Sequence, residues 1–284
     1  MATVLSGKEV TAKLNEELKN RVAALYNRYI FPVLATVRVG EREDDISYEK
    51  GILSRCEKIG VRVRRYILPG RVTQQDLEAL IDELNANSLI SGILLFRPLP
   101  KNFDEAALCN HIAPAKDVDS ATDTSLSSLF LGKAAGFVPC TPAACMEILK
   151  YYNIDCTGKR AVVLGRSLVV GKPAAMLLLD KNATVTVCHS KTENLASVCR
   201  EADILIAAVG RAKLVTADYI KPGAVVLDVG IHWDEAAGRL CGDVDYDAVF
   251  PVAGAITPVP GGVGTVTTSV LIQNVIDAAE RNAK

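Results

Sequence analysis

The stretch "VVLGRSLVVGKPAAMLLL", residues 162–179, begins as an apolar, β-branched run, passes Gly165 and Gly171, and continues as a helix-forming run. A strand, a tight glycine turn and a helix N-terminus direct backbone N–H groups and a positive dipole end at a phosphate. The spacing is GxSxxxG and not GxGxxG, so the interpretation depends on the strand before the glycines and the helix after them. The stretch therefore predicts a dinucleotide loop.

The segments around this loop repeat the same alternation of strand and helix. After it come the apolar runs "TVTVCHS", "ADILIAAVG" and "AVVLDVG", separated by short helical segments. All-apolar strands that alternate with helices are typical of a doubly wound parallel sheet covered on both faces. We therefore expect a Rossmann-type lobe over residues 142–264.

The first half of the chain predicts a second α/β lobe. "VLATVRVG" (33–40) and "GILLF" (92–96) read as buried strands, with helix periodicity between and around them. The final "TTSVLIQNVIDAAERNAK" is one amphipathic helix, which we expect to return to the first lobe. The predicted domains are residues 1–141 plus 265–284, and residues 142–264.

Composition narrows the function class. The 284 residues are 49% hydrophobic and 23% charged, with a formal net charge of −1 and no block of like charges. This argues against nucleic acid or a membrane surface as the main partner. The eight cysteines are scattered without metal-ligand spacing, and we expect no disulfide framework and no metal site. No apolar run approaches the ~18 residues of a membrane span, so we expect a cytoplasmic protein.

The residues at the loop and at the next strand end favour NADP over NAD. "TVTVCHS" ends at His189, Ser190 and Lys191, with no carboxylate to accept from a ribose 2′-hydroxyl. Arg166 adds a planar donor suited to a phosphate. The alternative is that Arg166 pairs with a carboxylate and Ser190 caps a turn, and NAD stays possible.

Four further motifs carry a resemblance to a known family. "GRSLVVGKP", "CHSKT", "PAKDVDS" and "ITPVPGGVGTVT", with "VRVG" (37–40) and "PCTP" (139–142), resemble the methylenetetrahydrofolate dehydrogenase/methenyltetrahydrofolate cyclohydrolase family. The resemblance runs nearly end to end. It implies a two-lobed subunit with folate in the cleft between the lobes and the nicotinamide cofactor on the C-terminal lobe. It also implies a homodimer that pairs through the cofactor lobes.

The same resemblance implies the chemistry. Family members oxidise 5,10-methylenetetrahydrofolate to the 5,10-methenyl form by hydride transfer, and many hydrolyse that product to 10-formyltetrahydrofolate. This places the protein in one-carbon metabolism, on the route to purine biosynthesis.

By position, the resemblance assigns Tyr48 as the active-site tyrosine that packs over the folate, and Asp119 as the carboxylate that holds the pterin end. An aspartate suits an aminopyrimidinone edge because it accepts two N–H bonds. The alternative for Asp119 is a cap at the start of a helix. Pro258, Gly261 and Gly262 match the substrate-binding loop, whose glycines permit close backbone approach.

Seven residues are predicted to bind the cofactor, and the resemblance matches Arg166 and Ser190 among them to the positions that meet the NADP phosphate. They are Gly165, Arg166, Ser167, Gly171, Ser190, Thr141 and Ile231.

Three positions depart from the family's pattern. The active-site helix of the family reads tyrosine, three residues, then lysine, but in "SYEKGILSRCEKIG" (47–60) the lysine position is Ile52. The motif glycine-Ile-Leu-Val-Gln-Leu-Pro-Leu-Pro appears as "GILLFRPLP", which puts Phe96 at the glutamine position. The residue three before the tyrosine, usually serine, is Asp45. Lys50 is two residues from Tyr48 and belongs on another helix face.

These replacements affect the two reactions differently. Opening the methenyl group needs a residue that exchanges a proton, and losing general acid–base catalysis typically costs ~10²–10⁴-fold. Hydride transfer moves no proton and depends mainly on placement, which can supply ~7–11 kcal/mol. The sequence therefore predicts a dehydrogenase with cyclohydrolase activity lost or very weak, and a separate cyclohydrolase downstream.

Two alternatives stay open. A bifunctional enzyme could use a rearranged proton-transfer residue such as Lys50 or Asp45. The second alternative is a non-catalytic protein that binds folate or a dinucleotide. Such a protein would not need the glycine loop, Arg166, Ser190, Tyr48 and Asp119 together.

Overall fold

The computed structural model describes residues 1–132, 136–235 and 237–283. In chain order the elements are β1 (Thr3–Val4), α1 (Gly7–Tyr26), β2 (Val33–Val39), α2 (Glu43–Ile59), β3 (Arg62–Leu68), α3 (Gln74–Ala86), β4 (Gly92–Leu95), α4 (Glu105–His111), α5 (Asp123–Phe130), α6 (Cys140–Tyr151), β5 (Arg160–Leu164), α7 (Gly171–Asp180), β6 (Thr184–Cys188), α8 (Leu195–Cys199), β7 (Ile204–Ala207), β8 (Val225–Asp228), β9 (His232–Asp234), β10 (Arg239–Cys241), α9 (Tyr246–Val249), β11 (Ala255–Ile256) and α10 (Val263–Asn282). Short 3₁₀ turns lie at Pro114–Lys116 and Ala217–Tyr219.

The chain forms two compact units. The Rossmann unit comprises Met1–Ala12 and Thr141–Thr267, and the small-sheet unit comprises Lys13–Cys140 and Thr268–Lys284. The C-terminal helix returns to the small-sheet unit, as predicted. The first twelve residues differ from the expected boundary, because β1 pairs with β11 and so joins the Rossmann sheet.

The Rossmann unit is built on a six-stranded sheet in the order β1-β11-β8-β7-β5-β6, and all its pairs are parallel. β5 has β6 on one side and β7 on the other, so the strand order reverses at β5. Ligands of open α/β sheets bind beyond the carboxyl ends of the strands at such a reversal. The predicted dinucleotide loop begins at that position, directly after Leu164.

The small-sheet unit contains three parallel strands in the order β3-β2-β4. Every residue of the central strand β2 is buried, as expected for a strand covered on both faces. β3 lies at the edge, where its arginines reduce the risk of pairing with another chain. Arg21 of α1 donates to both carboxylate oxygens of Glu280 on α10, at 3.1 and 2.7 Å, which ties the returning helix to this unit.

The segment after the Pro114–Lys116 turn runs beside β4. Asp117 pairs with Ile93 in a parallel bridge, and this brings the "KDVD" motif to the carboxyl end of β4. Asp117 is fully buried, and its carboxylate accepts from the N–H groups of Ala121 and Thr122 at 2.8 and 2.9 Å. Asp117 therefore fixes the backbone of the motif, and Asp119 takes no part in these hydrogen bonds.

The described residues contain neither a membrane-spanning helix nor a cluster of metal ligands. No helix within residues 1–132, 136–235 and 237–283 is long and apolar enough to cross a membrane. Over the same ranges, no group of three or more His, Cys, Asp or Glu side chains is placed to hold a metal ion.

Lys116→Met should lower the free energy of unfolding by about 1–3 kcal/mol. The buried ammonium of Lys116 donates to the carbonyls of Leu84, Asn85 and Asn87 at 2.8, 2.8 and 2.7 Å, and so closes the C-terminal end of α3. Urea unfolding measures the change, with Lys101→Met at an exposed loop position as the control. Equal loss of stability in both variants would contradict this role.

Candidate active site

The glycine loop after β5 is a place of close backbone approach. Gly165 has φ +128°, and a Cβ at this residue would lie 2.1 Å from the carbonyl oxygen of Ala208. A Cβ on Gly171 would lie 2.2 Å from the carbonyl oxygen of Gly165. Both predicted glycines are therefore required by the backbone, and they let the chain turn tightly from β5 into α7.

Ser167 organises the rest of this loop. Its hydroxyl accepts from the N–H of Val170 at 3.1 Å, and its carbonyl accepts from the N–H of Lys172 at 3.0 Å. Ser167 was predicted to contact the cofactor, and in the structure its contacts shape the entry to α7.

Arg166 and Ser190 lie at the same edge of the sheet. β5 and β6 are adjacent and parallel, so the residues that follow Leu164 and Cys188 share one carboxyl end. Both side chains are exposed, and no described carboxylate forms an ion pair with Arg166. Thr192, and not Ser190, closes the turn, because its hydroxyl accepts from the N–H of His189 at 3.0 Å. The described residues thus give the alternative assignments of Arg166 and Ser190 no support, and a cation and a hydroxyl at one edge of the sheet suit a phosphate group.

Two buried carboxylates fix the loops after β7 and β8, and sequence reasoning missed both. Asp243 accepts from the N–H groups of Val209, Gly210 and Arg211 at 2.6, 3.1 and 2.9 Å, and its Oδ1 lies 2.8 Å from His232 Nε2. The second buried carboxylate is Asp228. The signal that could have identified it is an aspartate inside the apolar strand run "AVVLDVG".

That second carboxylate, Asp228, closes β8. It accepts from the N–H groups of Gly230, Asp243 and Val244 at 3.0, 2.9 and 3.0 Å. Burial raises the pKa of Asp228 to about 6, even though these three donors act in the opposite direction. Ile231 follows with 65% of its surface exposed, in the position predicted for a cofactor contact.

The remaining predicted residues of the Rossmann unit lie after β11 and at the start of α6. The N–H of Gly7 donates to the carbonyl of Gly261 at 2.8 Å, and a Cβ on Gly262 would lie 2.5 Å from the carbonyl oxygen of Pro258. The backbone of the loop at residues 258–262 therefore makes the close approaches that its glycines were predicted to permit. Thr141 is half-buried in the first turn of α6.

In the small-sheet unit, Tyr48 lies against an apolar wall. Its ring meets that of Phe96 edge to face, with centroids 6.0 Å apart and an interplanar angle of 71°. Ile52 is fully buried and Phe96 is 5% exposed. Lys50 lies on the exposed side of α2, as its spacing predicts. The positions where the family pattern has lysine and glutamine are therefore dry and carry no proton-exchanging group.

Asp119 pairs with an arginine that sequence reasoning did not single out. Arg97 Nη2 lies 3.1 Å from Asp119 Oδ2, and the side chains are 24% and 27% exposed. Burial raises the pKa of Asp119, and the nearby guanidinium of Arg97 partly offsets that effect. Burial also raises the pKa of Tyr48, with a smaller effect from the Asp119 charge, so its hydroxyl stays protonated as a donor.

Asp119 is not the cap of the following helix. The cap of α5 is Thr122, whose hydroxyl accepts from the N–H of Ser125 at 3.0 Å, and Asp117 orders the turn before it. Asp119 therefore does not serve as this cap, and its contact with folate stays a prediction. The signal for Arg97 was its position directly after Phe96 in "GILLFRPLP", where the family pattern has leucine.

Asp45 is a further buried acid on α2. Its side chain is 10% exposed, and its Oδ2 lies 3.9 Å from Arg42 Nε. Asp45, Tyr48 and Ile52 are spaced three and four residues apart and so share one face of the helix. The N-cap residue of α2 is Arg42, which makes no side-chain cap bond.

Comparison with known proteins identifies both parts of the chain. Residues 5–119 match the family model of the tetrahydrofolate dehydrogenase/cyclohydrolase catalytic domain, and residues 139–283 match that family's NAD(P)-binding domain. The bifunctional protein FolD of Carboxydothermus hydrogenoformans is 56% identical over 281 residues, which cover 99% of this chain and 98% of the relative.

Solved structures agree with this match. The bifunctional enzyme FolD, methylenetetrahydrofolate dehydrogenase/cyclohydrolase, of Campylobacter jejuni superposes with a TM-score of 0.96 at 40% identity, over 99% of both chains. The N5,N10-methylenetetrahydrofolate dehydrogenase-cyclohydrolase of Trypanosoma brucei, complexed with NADP cofactor and inhibitor, gives a TM-score of 0.93 at 38% identity, over 100% of this chain and 99% of that one.

Gly165→Ala should weaken dinucleotide binding at least tenfold and destabilise the fold by about 1–3 kcal/mol. The added Cβ would collide with the Ala208 carbonyl, and φ +128° is unfavourable for alanine. Fluorescence titration with NADP and urea unfolding measure the two effects. Gly51→Ala is the matched control, since it lies inside α2 with open space around its Cβ position. Unchanged binding by Gly165→Ala would contradict the assignment of this loop.

Proposed function

The chain belongs to the tetrahydrofolate dehydrogenase/cyclohydrolase family, and on this premise we propose that it is a bifunctional, NADP-dependent enzyme. It oxidises 5,10-methylenetetrahydrofolate to the methenyl form and hydrolyses that product to 10-formyltetrahydrofolate. The observation that carries the proposal is the placement of Tyr48 against Phe96 and of Asp119 against the neighbouring Arg97, inside the matched catalytic domain. The expected loss of cyclohydrolase activity finds no support in the relatives, which are named as bifunctional.

The oxidation step needs placement more than proton transfer. The lone pairs of N-5 and N-10 expel hydride and leave a delocalised cation, while the nicotinamide of NADP accepts the hydride. Tyr48, held edge-on against Phe96, supplies a firm surface for the folate ring, and Asp119 supplies acceptors for its N–H groups. Fixed placement of this kind can contribute ~7–11 kcal/mol to lowering a barrier.

The choice of NADP rests on the edge formed by β5 and β6. Arg166 and Ser190 are exposed there, and the end of β6 has no carboxylate to repel a 2′-phosphate. The Trypanosoma brucei relative was solved with NADP, which supports the same choice. Pro258, Gly261, Gly262, Thr141 and Ile231 retain their predicted binding roles within this proposal.

Hydrolysis requires a group that exchanges protons. Water adds to the methenyl carbon and gives up a proton to a base. The bond from that carbon to N-5 then breaks, N-5 takes up a proton, and the hydroxyl proton leaves as the formyl carbonyl forms. Ile52 and Phe96 can take no part in these transfers.

Asp45 is the residue best placed to serve as this base. It shares the helix face of Tyr48 and Ile52, and it replaces a residue that is usually serine in the family pattern. Its carboxylate is buried, and no side-chain hydrogen bond to it occurs among the residues that the structure describes. An acid in the first turn also interacts favourably with the helix dipole, but that effect does not require burial. Lys50, the other candidate, is exposed.

Assembly and location stay predictions. A homodimer that pairs through the Rossmann unit, and a cytoplasmic location, are implied by the resemblance and by the sequence. A separate downstream cyclohydrolase is unnecessary if the bifunctional proposal is correct.

Arg166→Ala should raise the KM for NADP about 10–100-fold and change the KM for NAD less than threefold, because one charge-assisted bond to phosphate is worth ~1.5–3 kcal/mol. Steady-state oxidation of methylenetetrahydrofolate with each cofactor measures this. Arg211→Ala, a nearby exposed arginine, is the control. Parallel changes with NADP and NAD would refute a 2′-phosphate contact.

Asp45→Asn should reduce hydrolysis of methenyltetrahydrofolate by ~10²–10⁴-fold and change the rate of oxidation only a few-fold. The loss of methenyl absorbance against buffer reports hydrolysis, and NADPH formation reports oxidation. Lys50→Met, on the exposed side of α2, should keep both activities.

The wild-type protein decides between the proposal and its rival in the same assay. Hydrolysis no faster than in buffer would show a monofunctional dehydrogenase, the outcome that Ile52 and Phe96 favour. Absence of both activities would leave only a binding role.

A further inference from the structure

Among the described residues, Arg97 is the permanently charged cation that forms an ion pair with Asp119. The guanidinium reaches Asp119 Oδ2 at 3.1 Å, and each side chain is about one-quarter exposed. A half-buried arginine carries a large desolvation cost unless it is paired. This pair lies in the predicted folate site and not on the outer surface.

The backbone holds Arg97 firmly in place. The N–H of Phe96 donates to the carbonyl of Val37 at 2.9 Å, so the sheet ladder continues up to the residue before Arg97. On the other side, the carbonyl of Pro98 accepts from Arg42 Nη1 at 2.8 Å, and the N–H of Leu99 donates to Glu105 at 2.6 Å. The turn that presents the guanidinium is thus anchored at both ends.

The surroundings of Asp119 otherwise favour its neutral form. Burial raises the pKa of this carboxyl, and the negative charge of Asp117 acts in the same direction. The other titratable groups that act on the pair are the Tyr48 hydroxyl from α2, Cys109 and Glu105 from α4, and the Cys140 thiol at the start of α6. All of these are acids, so Arg97 is the positive charge among them that stabilises the carboxylate, with a smaller contribution from the hydrogen bond of the Cys140 thiol.

We propose that Arg97 is a positioning residue for folate: it fixes one oxygen of Asp119 so that the carboxylate accepts from the N–H edge of the pterin ring. This inference rests on the proposed function and deepens it. A protonated Asp119 would present an O–H donor to the ring's donors, which is the wrong pairing. With Oδ2 bound to Arg97, the carboxylate is held ionised in one orientation, in which it can accept from the N–H edge of the ring.

The test is binding of tetrahydrofolate by calorimetry at pH 6.0 and pH 8.0, because binding does not depend on turnover. Arg97→Leu carries the residue of the family pattern, and it should raise the dissociation constant about 10–100-fold at pH 6.0 and clearly less at pH 8.0. Removing the cation raises the pKa of Asp119, so affinity falls as pH falls and returns as pH rises. Wild type should show little dependence over this range.

Two further variants separate positioning from a structural effect. Arg97→Lys keeps the charge and should restore most of the affinity and the flat pH profile, whereas Arg97→Gln should behave like leucine. Arg64→Leu removes an exposed arginine of β3 and should match wild type. NADP affinity should be unchanged in every variant. If Arg97→Leu unfolds, Arg97→Gln supplies the same comparison.

The outcomes are distinct from those of the proposed function. Equal tetrahydrofolate affinity in wild type and Arg97→Gln at both pH values would overturn the role of Arg97. Weakened binding that is equal at both pH values, or not rescued by lysine, would also overturn it, since that pattern indicates structural damage. Wild type that binds tetrahydrofolate but oxidises nothing would contradict the proposed function and leave the binding test of Arg97 intact.

Discussion

Parallel pairing of β5 with β6 and β7 imposes the constraint on which the cofactor side of this protein depends. The chain must leave β5 at the carboxyl edge, where the backbone of the neighbouring loop already lies close. A Cβ at position 165 would lie 2.1 Å from the carbonyl oxygen of Ala208, and the backbone there has φ +128°. Only glycine meets both conditions. Everything that follows, from the Ser167 contacts to the start of α7 at Gly171, is a consequence of that tight exit. The exposed Arg166 is presented by the same turn.

Four buried or half-buried aspartates divide into two groups by what their carboxylate oxygens contact. Asp117 and Asp243 are fully buried, and each accepts several backbone N–H groups that fix a loop. Asp119 and Asp45 lie at the predicted folate site, and each has an arginine as its ion-pair partner. Backbone donors hold a carboxylate permanently, whereas an arginine at one oxygen leaves the rest of the group available. Among these four aspartates, this difference separates the two that fix loops from the two that we propose to be functional.

Sequence reasoning reached the architecture because apolar strands and glycine turns are local signals. The two lobes and the return of the C-terminal helix were confirmed, as was the order of strand, turn and helix over residues 162–179, whose role in binding a dinucleotide stays a prediction. The position of residues 1–12 was missed, since a two-residue strand such as β1 has no periodicity and its pairing with β11 spans about the length of the chain. Arg97 was missed for a related reason. Its partner Asp119 is distant in sequence, and only the parallel bridge between Ile93 and Asp117 brings them together.

The departures from the family pattern affect charge as well as proton transfer. Oxidation of methylenetetrahydrofolate converts a neutral ring into a cation, so a cationic lysine near that ring would oppose the step. With Ile52 at the lysine position, this positive charge is absent. Arg97 brings a positive charge to the site, but the negative charge of Asp119 balances it. A carboxylate at Asp45 would favour the cation and could also accept the proton of the attacking water. In the proposed reaction, then, two replacements on one face of α2 serve both steps: the proton acceptor moves from position 52 to position 45, and an amine is replaced by an anionic carboxylate.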